Sequence, residues 1–177
     1  MIPQLRGGQW FHYMSFLNKS RRRWLWLLLG LVGLTWLGMR LMVTMVSPVP
    51  AGLGVQHGRL TPCPNVPNCV STLAEAPPQA MLPWPMPGDA AAAQSRLLIL
   101  IEEQPRTRVI TITPTYLHVE FRSLVWGFVD DVEFYLDEPA GVIHFRSASR
   151  LGSGDMGVNR ARMERLAAAW AAVPGEP

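Results

Sequence analysis

Residues 108–148 read RVITITPTYLHVEFRSLVWGFVDDVEFYLDEPAGVIHFRSA, and the fold turns on this stretch. It holds four segments of strand length: 108–113, 116–122, 130–137 and 142–148. Each is rich in β-branched and aromatic residues, with apolar and polar side chains alternating. Pro139-Ala140-Gly141 is a turn signal, so the last two segments are expected to form a hairpin. No helical pattern separates the strands, which argues for an antiparallel sheet rather than βαβ units. A helix is expected on each side of the run. Residues 90–104 carry Leu97, Leu98 and Ile101, with Asp89 as cap and Pro105 as stop. Residues 159–170 follow, with Val158, Met163, Leu166 and Trp170 as a packed stripe. The expected class is α+β, a small antiparallel sheet with two helices on one face.

Strand parity sorts the side chains. Leu117, Val119, Phe121, Val132, Phe134, Leu136, Ile143 and Phe145 share the face that the helices should cover. The other face collects Tyr116, His118, Glu120, Arg122, Asp131, Glu133, Tyr135, His144 and Arg146. That face reads either as a polar binding or catalytic surface or as an ordinary solvated one with cross-strand ion pairs. His118, Glu120 and His144 are adequate metal ligands by type but match no compact motif. No metal and no cofactor is assigned. Asp130 and Asp131 should point to opposite faces, which argues against a joint acid–base role. No G-x-S-x-G, phosphate loop or H-E-x-x-H is present.

Two connections stand out. Leu124-Val125-Trp126-Gly127-Phe128 is apolar; it either dips into a membrane or partner, or caps the core. Residues 147–157, SASRLGSGDMG, lead from a strand to a helix start. Glycines and free helix N–H groups there can hold an anion, with Arg146, Arg150 and Arg160 assisting. The bland alternative is a flexible connector.

Upstream the composition changes. Ten prolines between 48 and 87 forbid regular helix or central strand, so 47–88 is read as a tether leading into an irregular arm. Trp84 and Met86 are candidates to dock on the domain. Within it lies Cys63-Pro-Asn-Val-Pro-Asn-Cys69. A disulfide, a pair of free thiols, and a metal or redox site all remain open.

Residues 24–46 read WLWLLLGLVGLTWLGMRLMVTMV, 23 residues with one charge. As a helix this spans about 35 Å, enough for a core of about 30 Å. Arg40 lies in its last third, from which it can snorkel to the interface. Lys19, Arg21, Arg22 and Arg23 stand directly before it, so the positive-inside rule leaves 1–23 cytoplasmic and sends the rest across. The expectation is an uncleaved signal anchor, single-pass, with the C-terminal domain periplasmic, lumenal or extracellular. A cleaved signal peptide and a buried soluble helix are the alternatives. Met14 would open a more ordinary leader. The expected organisation is therefore a leader 1–23, an anchor 24–46, a tether 47–88, a domain 89–171 and a tail 172–177.

The net charge of +3 divides unevenly: residues 1–51 carry six basic residues and no acids, the remainder ten Arg against thirteen acids. A mildly acidic folded part argues against nucleic acid as a partner. The membrane is the expected partner, with a membrane protein complex or a small anionic ligand beyond it.

In CPNVPNCV, YLHVEFRS, FVDDVEFYLD and GVIHFRSASRLGSGDMGVNRARMERL the chain resembles the domain-of-unknown-function family DUF1499, over residues 61–168. The resemblance implies a small α+β domain, often membrane-anchored or exported, and no established chemistry. Its pattern is matched by Cys63, Asn65, Asn68, Cys69, Glu120, Arg122, Asp130, Asp131, Glu133, Arg146, Ser147, Ser149, Arg150, Gly157, Asn159 and Arg160. The leading functional expectation is a non-catalytic binding or assembly domain. Its recognition surface would use Arg122, Arg146, Ser149, Arg150, Asn159 and Arg160, with Asp130 and Asp131 holding the arginines. The alternative is a small enzyme using His118, Glu120, Asp131 and His144 as an acid–base group.

Overall fold

The computed structural model describes residues 7–172, with side chains from Lys19 onward. The first residues of the expected leader and the tail beyond Ala172 lie outside the described residues. Contacts divide the chain after Met42 into two units. Helix α1 (Gly7–Met45) runs from ahead of the basic cluster through the apolar run and carries the described part of the first unit, its last three residues counting with the second. Its Lys19–Met45 portion is long and apolar enough to cross a membrane.

The second unit is α+β, as the strand run dictates. Helix α2 (Ala90–Glu102) is capped by Asp89, whose side chain accepts from the Ala92 N–H at 2.8 Å. Strands β5 (Thr107–Thr113), β6 (Tyr116–Arg122), β7 (Val129–Asp137) and β8 (Val142–Ser149) follow as an antiparallel meander. Helix α3 (Val158–Ala172) closes the chain. Leu117, Val119, Phe134, Leu136, Ile143 and Phe145 all enter one core with Leu97, Ile101, Met163 and Leu166. The α3 stripe is shifted from the expected one: Val158 is exposed, while Asn159 and Arg162 are buried. Val158 lies one position, about 100°, off the line through 159, 163, 166 and 170.

The Pro-rich stretch is not a free tether. Strands β1 (Val55–Gln56) and β2 (Arg59–Leu60) form a short hairpin, and β2 lies against β7 and β8. Strands β3 (Cys69–Ser71) and β4 (Trp84–Pro85) both pair with β8, giving the order β3-β8-β7-β6-β5 with β4 beside the other half of β8. Proline excludes central strands but not an edge, and the edge is where these short pieces sit. Trp84 and Met86 are buried in the core.

Cys63 and Cys69 are joined as a disulfide. Gln79 Nε2 donates to the carbonyls of Pro64 at 2.7 Å and Val66 at 3.0 Å, so the small loop is fastened to the arm. Replacing Cys63→Ser together with Cys69→Ser is expected to cost about 2 kcal/mol, the loop-closure value for so short a ring. A reductant should lower the urea midpoint of the wild-type chain to that of the double variant and leave the double variant unmoved.

Candidate functional site

The charged residues cluster where β6 ends, β7 begins and β8 ends. Glu120 and Asp131 are directly opposite each other on β6 and β7. Two like charges in that position repel, so a cation must lie between them. Arg150, just past the end of β8, supplies it. Its Nε donates to Asp131 Oδ2 at 2.8 Å, and its Nη2 donates to Asp131 Oδ1 and Glu120 Oε1, each at 2.6 Å. His118 Nε2 lies 2.7 Å from Asp131 Oδ1, and Arg122 Nη2 donates to Glu120 Oε2 at 2.7 Å. Burial pushes the Asp131 carboxyl up, but the bonds from Arg150 and His118 outweigh it and hold it below the usual range. Glu120 is likewise raised by burial and lowered further by Arg122 and Arg150.

A second cluster shares this face. Glu133 accepts from Tyr116 Oη at 2.9 Å, Arg146 Nη1 at 3.2 Å and the Gly54 N–H at 2.7 Å. Burial, and then the Glu133 carboxylate, push the Tyr116 hydroxyl far above its ordinary pKa.

This face is neither an open binding surface nor a solvated one. His118 is 2% exposed and Glu133 fully buried. The segment 47–60 covers it: Arg150 Nη1 donates to the Ser47 carbonyl at 2.9 Å, Gly54 bonds Glu133, and Leu60 is buried. Backbone groups of the expected tether thus supply hydrogen-bond partners to Arg150 and Glu133.

On the helix face, Asp130 accepts from Ser149 Oγ at 2.6 Å and from Arg162 Nη2 at 2.5 Å. Arg162 Nη1 also donates to Asn159 Oδ1 at 2.7 Å, and Ser147 Oγ donates to the same oxygen at 2.5 Å. Asn159 Nδ2 bonds Ser149 Oγ, Asp155 Oδ2 and the Asn68 carbonyl. Asp155 accepts from the Gly157 and Asn159 N–H groups at 2.9 and 2.7 Å, so the start of α3 already holds a carboxylate. Burial raises the Asp155 carboxyl, and these backbone bonds lower it below the usual range.

The expected site residues therefore separate. Arg122, Asp131 and Arg150 meet on one face; Asp130, Ser149 and Asn159 meet on the other. Arg146 is held by Glu133. Arg160 lies apart, donating to the Ala80 carbonyl at 2.9 Å and so clasping the arm. The acid–base group is not assembled on a surface either: His118 is turned to Asp131, whereas His144 lies 3.0 Å from Thr72 Oγ1. Among the described residues no group of three or more His, Cys, Asp or Glu could hold a metal ion. Arg162 escaped the sequence reading. Its signal was its place three residues after Asn159, on the same helix face.

What this end of the sheet does expose is apolar. Ser123 staples the 123–128 loop at its base, its N–H bonding the Phe128 carbonyl and its Oγ accepting the Phe128 N–H. Gly127 supplies the positive φ of 74° that lets the loop turn. Leu124, Val125, Trp126 and Phe128 are left in solvent, at 65%, 50%, 44% and 43% exposure, so the loop does not cap the core. Facing them across a cleft of about 470 Å³ are Leu151, Met156 and Val158, with Asp130 and Ser149 among the lining residues. That volume falls within the range of small-molecule sites.

The family of proteins of unknown function DUF1499 matches residues 59–170 of the chain. No curated protein and no solved structure matches it.

Proposed function

Because the chain belongs to the DUF1499 family, whose function is unknown, we propose from its own geometry that it is a membrane-anchored, extracytoplasmic binding module without catalytic chemistry, and that its ligand is an apolar chain held in the cleft between residues 123–128 and 151–158. The single observation that carries this is the cleft, with exposed apolar side chains on both of its walls. The arginines and carboxylates expected to recognise a partner act instead as the frame that fixes these two loops. Asp130 joins the start of β7 to the end of β8 and to α3, and Arg150 joins the end of β8 to β6 and β7. The basic cluster ahead of the apolar helix supports a cytoplasmic N-terminus. The disulfide supports an oxidising compartment for the domain.

The test places a photo-reactive benzoylphenylalanine at position 126 or 156 of the full-length chain in native membranes, with position 112 as control. Discrete adducts are expected at 126 and 156 and not at 112; equal labelling at all three positions removes the reading. Trp126→Asp combined with Met156→Asp should abolish capture of a diazirine fatty acid. Both are exposed, so the melting temperature should stay within a few degrees, as surface changes of about 0.5 kcal/mol allow.

A further inference from the structure

We propose that this apolar end of the domain is seated in the interface of the bilayer that anchors the chain, so that the cleft opens onto leaflet lipid; this rests on the membrane-anchored reading above and names the occupant of its site. The first observation is where the chain arrives. Met45 ends α1, and Ser47, two residues later, has its carbonyl held by Arg150. Two residues reach at most about 7 Å. The Arg150 N–H in turn bonds the Val129 carbonyl, next to Phe128, and Leu151 is the following residue. The point of entry from the apolar helix and the two apolar loops therefore share one end of the sheet.

The second observation is the chemistry of that end. Residues 123–129, SLVWGFV, contain no charge, and residues 151–158, LGSGDMGV, contain only Asp155, whose carboxylate is turned to Gly157 and Asn159. Trp126 offers the amphipathic ring that favours the headgroup boundary. Met156 is 101% exposed at a φ of 53°, a left-handed conformation that few non-glycine residues adopt. A soluble surface gains nothing from so displaying a long apolar side chain, whereas an interface does. With no cationic residue in either loop, the attraction is apolar and independent of anionic lipid.

The experiment reconstitutes the full-length chain in phosphatidylcholine vesicles with a spin label on one added cysteine: Leu124→Cys, Met156→Cys, Leu34→Cys within the span, or Ile112→Cys at the far end of the sheet. Collision with oxygen is compared with collision with a water-soluble nickel chelate. Labels at 124, 156 and 34 are expected to favour oxygen several-fold over the label at 112. If 34 favours oxygen while 124 and 156 match 112, this proposal is overturned and membrane anchoring stands. If 34 itself matches 112, the anchored reading falls and takes this one with it. As an internal check, Leu124→Asp with Trp126→Asp should bring the 156 label down to the 112 value; an unchanged signal would mean the label alone sought the lipid.

Discussion

Replacing Arg150→Met is expected to cost about 3–5 kcal/mol of folding stability, because it removes the shared cation from between two buried, directly opposed carboxylates and leaves Asp131 only His118 and Glu120 only Arg122. Arg150 is 4% exposed in its side chain, as is Glu120, and Asp131 is 1% exposed. Water cannot replace the lost cation. Arg150→Lys should rescue little, since a single ammonium cannot reproduce donation from Nε and Nη2 to Asp131, from Nη2 to Glu120 and from Nη1 to Ser47 at once. Adding Asp131→Asn and Glu120→Gln to the Met variant should recover part of the loss, because neutral amides tolerate burial better than bare charges. The pH dependence separates this account from simple loss of packing. In the wild type, Asp131 and Glu120 have depressed folded pKa values. Their contribution is present above the unfolded carboxylate range and is lost as pH falls through the folded values. In Arg150→Met the largest part of that lowering is gone from Asp131, leaving His118, and Glu120 keeps only Arg122, so both carboxyls are less depressed against the same burial. The variant should therefore gain relative stability as pH falls, and the gap between the two should narrow in acid. Urea titrations of both chains at neutral and acid pH, followed by tryptophan emission, measure this. A gap constant with pH would reject the electrostatic account.

Trp84→Ala is expected to cost a similar 3–5 kcal/mol, the range for removing a buried large aromatic. Its ring lies 5.2 Å from Phe145, 5.6 Å from Phe134 and 6.1 Å from Trp170, so it joins both central strands to α3. Trp170 Nε1 donates to the Pro85 carbonyl at 2.9 Å, so the arm is held from two sides. Trp84→Phe keeps part of the apolar volume and should cost distinctly less. Limited proteolysis supplies the independent measurement: residues 69–86 should resist cleavage in the wild type and become the first site cut in Trp84→Ala. Equal resistance in both would mean that the arm is held without this ring.

The strand meander was legible because alternation has a period of two, and parity alone placed Asp130 and Asp131 on opposite faces. Parity could not show that the polar face is covered. The cover uses backbone groups, the Ser47 carbonyl and the Gly54 N–H, which no side-chain pattern displays. The proline count spoke against regular structure in 47–88 and was silent on edge strands two or three residues long, where few ladder bonds are needed. The glycine loop could be read as an anion cradle or as a flexible connector, the first because a helix start attracts negative charge. That attraction is real, and Asp155 from the same loop meets it. Loops lack periodicity, so the sequence left both fates of residues 124–128 open, and only the geometry put their side chains in solvent.

The two short strands that flank β8 have a consequence for self-association. Without them, β8 would present a row of unpaired amides to any passing chain, the condition under which sheets polymerise. β3 lies along residues 146–148 and β4 along 142–143, and Pro85 has no N–H with which to extend the ladder. The opposite margin, β5, is interrupted by a bulge between Val109 and Thr111, which spoils its fit to a flat partner strand. Both rims of the sheet are thus blunted against fibre growth. Loosening the arm, by reduction of the disulfide or loss of Trp84, would uncover one of them, and the damaged protein would be lost from solution as aggregate before it was found as unfolded monomer.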